Sequence, residues 1–105
     1  MKPPPRIHIG PHTHAVEYDP DLYTSGEFGK RDGNRARITL CPGQSPTILR
    51  DTLLHEVLHG VLDVTGIAHE LGDEKEERYV RRLTPALLDL LRRNPRLVAL
   101  LTEAA

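Results

Sequence analysis

A single cysteine, Cys41, is the only thiol in the chain, which excludes an internal disulfide framework and fits a reducing compartment. No charge of one sign dominates. The 14 Lys and Arg against 15 Asp and Glu leave a formal net charge of −1, so no global field draws the chain to nucleic acid or to an anionic membrane. No run approaches the roughly 20 apolar residues of a membrane span, and Met1-Lys2-Pro3-Pro4-Pro5 lacks the apolar core of a signal peptide. A soluble, cytoplasmic protein is expected, with no nucleic-acid or membrane partner. Internal repeats are missing too, and 105 residues leave room for one modest core and none for a second domain. Small domains often need a staple; with a disulfide excluded, a bound metal would supply one.

What the chain does have is Leu53-Leu54-His55-Glu56-Val57-Leu58-His59-Gly60-Val61-Leu62. At 3.6 residues per turn, Leu54, Val57, Leu58, Val61 and Leu62 form one apolar arc with His55 and His59 side by side at its margin. About 6 Å of rise separates the two imidazoles, so both can converge on one ion, and Glu56 points around the helix toward the water such an ion would bind. This is the His-Glu-x-x-His spacing of zinc hydrolases. Chance produces it in roughly one chain of this composition in forty, so its weight comes from two histidines and an acid sharing one amphipathic helix.

From the N-terminus, residues 1–6 are expected to be an extended proline arm and 7–105 a single domain. Arg6-Ile7-His8-Ile9 and Thr13-His14-Ala15-Val16-Glu17-Tyr18 alternate as strands about Gly10-Pro11. His8, His12 and His14 lack an acid or cysteine at ligand spacing and are expected on a solvated strand face. Asp19 to Asn34 reads as loop and turn, and Arg35 to Cys41 as a further strand. Ser45-Pro46 is a cap followed by proline at the first helical position, so the metal-site helix should run from Pro46 to about Val64 and close at Gly66. Ile67 to Gly72 is expected to be a linker. Thr84-Pro85 and Asn94-Pro95 repeat the cap-then-proline signature and divide the C-terminal region into helices near 73–83, 85–93 and 95–102. The expected fold class is α+β, a small N-terminal antiparallel sheet packed on the HExxH helix and followed by a helical region.

Arg50 to His59, preceded by Ile38-Thr39-Leu40 and followed by an acid-bearing helix with Leu83-Thr84-Pro85 and Arg93-Asn94-Pro95, resembles the small phage and prophage zinc metallopeptidases. These are similar to minimal gluzincins and to the peptidases that cleave prophage repressors. The resemblance covers Arg35 to Leu101, and its specific part is the HEVLH helix. Repressor-cleaving relatives carry Glu-x-x-Ala-Asn on the second helix, whereas here Glu77 is followed by Val80 and Arg81. The resemblance implies a Zn²⁺ cofactor, a peptide or protein substrate, and a substrate-binding edge along residues 36–41, where main-chain pairing would hold the peptide extended.

In the expected chemistry His55 and His59 bind Zn²⁺ as neutral imidazoles, a carboxylate of the second helix is the third ligand, and Glu56 is the general base. Helix phase favours Glu76 as third ligand, since it aligns with Val80 and Leu83 on the apolar face; the resemblance favours Glu77, which is the expected ligand because ligands commonly sit at the margin of an apolar face, as His55 and His59 do, with Glu76 the alternate. Asp73 and Glu74 are more remote. Tyr18, Tyr23, Tyr79 and His69 are all candidates for the oxyanion donor. The alternatives are a non-catalytic, zinc-stabilised binding module and a metal-free helical interaction protein.

Overall fold

Alternating apolar residues and a Gly10 turn at φ 56° fold the start of the chain into a hairpin of β1 (Arg6–Ile9) and β2 (His12–Tyr18). The computed structural model describes residues 2–104. β1 begins at Arg6 and the Pro5 carbonyl already accepts from Val16 N–H at 3.0 Å, so the expected six-residue arm is shorter. A one-turn helix, α1 (Leu22–Ser25), and two further strands follow, β3 (Gly29–Asp32) and β4 (Arg37–Leu40). The sheet order is β1-β2-β4-β3.

β2 and β4 run parallel, Val16 opposite Ile38 and Tyr18 opposite Leu40, while the outer pairs are antiparallel. The sheet is therefore mixed where an antiparallel one was expected. The reason lies in the segment from Asp19 to Asn34, which is not simply a loop: it carries α1 and β3, long enough to cross back and bring β4 in beside β2 in the same direction.

α2 (Pro46–Val64) begins at the expected cap, with Ser45 Oγ accepting from Ile48 N–H at 3.4 Å. It crosses the sheet on Leu49, Thr52, Glu56 and Gly60, all buried, a spacing of three, four and four residues that lines one helix face. Ile9, Ile38, Leu40 and Leu49 form the core, flanked by Ile7, Val16, Leu53, Val57 and Val64. The arc through Leu54, Leu58 and Leu62 is only half-buried and Val61 is exposed. Periodicity shows which residues share a face, but the face that meets the sheet is chosen by close approach at Gly60. A Cβ there would lie 2.8 Å from Ile9 Cδ1 and 3.0 Å from Arg31 Nε. Gly60→Ala is therefore expected to destabilise the fold by about 1–3 kcal/mol through overpacking despite its better helix propensity; a urea midpoint at or above wild type would show that the helix shifts freely.

α3 (Ile67–Leu71) occupies the expected linker, bracketed by Gly66 and Gly72 at φ 80°. α4 (Asp73–Arg93) then packs along α2. It passes unbroken through Pro85, where the sequence suggests two helices. Val80 and Thr84 are buried, and Thr84 Oγ1 donates to Val80 O at 2.7 Å, turning the would-be cap inward as a back-bonded helix residue. Burial of this face offsets the lost proline N–H. α5 (Pro95–Leu101) ends the fold. No helix among the described residues is long and apolar enough to cross a membrane.

Candidate metal centre

One helical turn sets His55 beside His59, their ring centroids 4.8 Å apart, and the packing of α4 on α2 brings Glu76 and Glu77 to face them. Glu77 spans the pair: Oε1 lies 3.1 Å from His55 Nε2 and Oε2 lies 2.9 Å from His59 Nε2. The two Nε2 atoms are 3.2 Å apart. His55, His59 and Glu77 are the one group of potential metal ligands among the described residues, their donor atoms within 4.8 Å of one another.

Glu76 takes the other nitrogen of His59, with Oε2 2.5 Å from Nδ1. In the tautomer that donates from Nδ1 to Glu76, a neutral imidazole presents its lone pair at Nε2. The Nε2 lone pair then faces a carboxylate oxygen and a second imidazole nitrogen at hydrogen-bond distance. Two imidazole nitrogens and a carboxylate oxygen this close together form a group that could hold a metal ion. Burial lowers the pKa of His55, against the opposing pull of Glu77 and with the aid of His59, and a neutral imidazole is the ligating form. Two nitrogens, a carboxylate oxygen and a second carboxylate orienting one imidazole are the donor set and outer partner that suit zinc.

Glu56 lies between the histidines on the sheet-facing side, 8% exposed. Burial pushes its carboxyl up to about 7, with Glu77 adding to the rise and His59 opposing it. A carboxylate poised there can accept and return a proton near neutral pH. His55, Glu56, His59, Glu76 and Glu77 open together onto a cleft of about 710 Å³ whose opposite wall is β3 and the residues just before it.

The expected substrate edge at residues 36–41 is overturned, because β4 is interior, paired on both sides, with Ile38 and Leu40 fully buried. β3 is the free edge beside the site. Cys41 N–H donates to Phe28 O at 2.8 Å, and Lys30 faces Thr39 two residues on, so Gly29 and Arg31 turn their own N–H and C=O groups to the open side. No apolar alternation marks Gly29-Lys30-Arg31-Asp32 as a strand; pairing with β4 makes it one. Phe28 also links the cleft to a smaller pocket of about 330 Å³ lined by Leu22, Tyr23, Cys41 and Ile48.

Other expectations resolve differently. None of Tyr18, Tyr23, Tyr79 and His69 lines the cleft; the Tyr23 hydroxyl donates to Pro42 O, and Tyr79 lies beneath the Arg78 guanidinium at 5.9 Å. His14 is fully buried, not solvated. Its Nε2 accepts from Arg31 Nε at 3.0 Å, and Arg31 Nη1 donates to Asp63 Oδ2 at 3.0 Å. Burial, then the Arg31 charge, lowers the His14 pKa, so the neutral ring accepts. This chain ties β2, β3 and α2 together behind the site, and its members are too far apart in sequence to be linked by any local pattern. His8 is exposed, its Nδ1 2.9 Å from Thr13 Oγ1. No family model, curated protein or solved structure matches the chain.

Proposed function

We propose that the chain is a zinc-dependent peptidase that works on extended peptides in a reducing cytosol. The carrying observation is the convergence of His55 Nε2, His59 Nε2 and Glu77 beside a buried Glu56, in a cleft walled by a free sheet edge. Bound Zn²⁺ would supply Lewis-acid polarisation of the scissile carbonyl and a water whose pKa is brought toward about 7. The protein's own residues do the rest. Gly29 and Arg31 pair with the substrate main chain and hold it extended. Glu56 takes the proton of the attacking water and passes it to the departing amine, and Glu76 holds the His59 ring in its ligating tautomer.

A zinc-stapled binding module is the second function to weigh, because the ligands come from two helices and would fasten α4 to α2. Glu56→Gln separates the two. The variant is expected to keep stoichiometric zinc and a wild-type thermal midpoint while losing cleavage of a proteome-derived peptide library, since Glu56 moves protons without ligating. Equal turnover in the variant would sink the mechanism. Elemental analysis of protein purified without added metal is the companion measurement, with about one zinc per chain expected.

A further inference from the structure

Peptide hydrolysis develops negative charge on the former carbonyl oxygen, and a donor about 2.7–3.1 Å from that oxygen is worth roughly 10²–10³ in rate. The tyrosines and the histidine nominated by sequence lie outside the cleft. Its cationic residues beyond the histidines are Lys30, Arg31 and Arg81. Arg31 is committed, its side chain 9% exposed and bonded to His14 and Asp63. Lys30 leaves β3 from the face opposite Gly29 and Arg31, which both turn toward α2. Arg81 remains.

We infer that Arg81 is the catalytic residue that stabilises the oxyanion, an assignment that rests on the peptidase function proposed above. It stands one turn beyond Glu77 on the same face of α4, with Nη2 3.5 Å from Glu77 Oε1. That oxygen is 3.1 Å from His55 Nε2, so the guanidinium lies directly against one of the three candidate ligands. Its present tie is a long, exposed i,i+4 pair with the side chain 77% accessible, which holds an arginine weakly. A metal ion held by Glu77 would draw on that carboxylate's charge and weaken the tie further. The planar guanidinium offers parallel N–H donors.

In the step concerned, the water oxygen bonds to the scissile carbon, one water proton passes to Glu56, and the carbonyl π pair moves onto oxygen. Arg81 donates to that oxygen. Collapse of the alkoxide breaks the C–N bond, and Glu56 returns the proton to the departing nitrogen, leaving a carboxylic acid and an amine.

The test compares wild type, Arg81→Met and Arg81→Lys, all zinc-loaded, on the best-cleaved peptide of the library. Arg81→Met is expected to lower kcat by about 10²–10³-fold with KM and zinc affinity nearly unchanged, and Arg81→Lys to recover part of the loss. Calorimetry supplies a readout without turnover: N-phosphoryl-leucinamide, a tetrahedral anion, should lose about 10²-fold in affinity in Arg81→Met, whereas planar acetohydroxamate should not. Wild-type kcat and wild-type phosphoryl affinity in Arg81→Met overturn the Arg81 role alone. So does a zinc affinity that falls in step with the rate, which would mean that Arg81 acts by holding Glu77. A wild-type protein that cleaves no library peptide overturns the peptidase function, and the Arg81 role falls with it.

Discussion

His55→Ala and His59→Ala are each expected to lose stoichiometric zinc and to unfold far below wild type. Each imidazole supplies one of three converging donor atoms, and two ligands from two helices cannot hold the ion as three do. The stability effect follows from mass action, because an ion that binds only the folded chain stabilises it by about 4 kcal/mol when free zinc is 1,000 times its Kd. In a domain of this size each kcal/mol moves the midpoint by about 4–8 °C, so losses on the order of 15–30 °C are expected. A chelator should bring wild type down to the level of the mutants and leave the mutants where they are. Retention of one zinc per chain by either mutant would remove that histidine from the site, and a wild type indifferent to chelator would remove the staple.

The signals that sequence carries well here are local. Ser45-Pro46 sets the start of α2 because a hydroxyl acceptor and a proline each act within one turn, and the His55/His59 pair needs only helical spacing. β1, β2 and β4 show themselves by alternation. β3 does not, since Gly29-Lys30-Arg31-Asp32 has no apolar residue to alternate and is extended only because Leu40, Thr39, Ile38 and Arg37 lie opposite it. The expected peptide-pairing edge at residues 36–41 fails for the same reason: β4 precedes α2 in sequence, but β3 lies outside it in space. Thr84-Pro85 misleads for a related reason. The pair has the chemistry of a helix start, and the buried face through Val80 and Thr84 carries the helix across it. Long-range polar contacts, such as Arg31 with His14 and Asp63, leave no trace in a single sequence.

The two neighbouring acids of α4 are expected to fail differently. Helix phase correctly makes Glu76 the deeper side chain, at 15% exposure against 40% for Glu77. Depth, however, carries Glu76 past the two Nε2 atoms to the far side of the His59 ring, where it meets Nδ1. Glu77, at the margin of the face, reaches Nε2 of both histidines. Sequence alone assigns Glu76→Ala little more than a helix N-terminal charge, about 0.5 kcal/mol; the contact with His59 raises that expectation. Loss of a carboxylate that orients a ligating imidazole typically costs about 10–100-fold in metal affinity, or roughly 1.4–2.8 kcal/mol. Glu77→Ala removes a ligand and the anionic charge that the dication needs, so its loss should exceed that of Glu76→Ala and leave no stoichiometric zinc after dialysis. Glu76→Gln, which keeps an acceptor for the Nδ1 proton, should bind zinc more tightly than Glu76→Ala, while Glu77→Gln, a poorer ligand without charge, should stay close to Glu77→Ala. A competition titration against a chromophoric chelator reads all four. Normal binding by Glu77→Ala together with failure of Glu76→Ala would exchange the two roles, and with them the nitrogen through which His59 meets the ion.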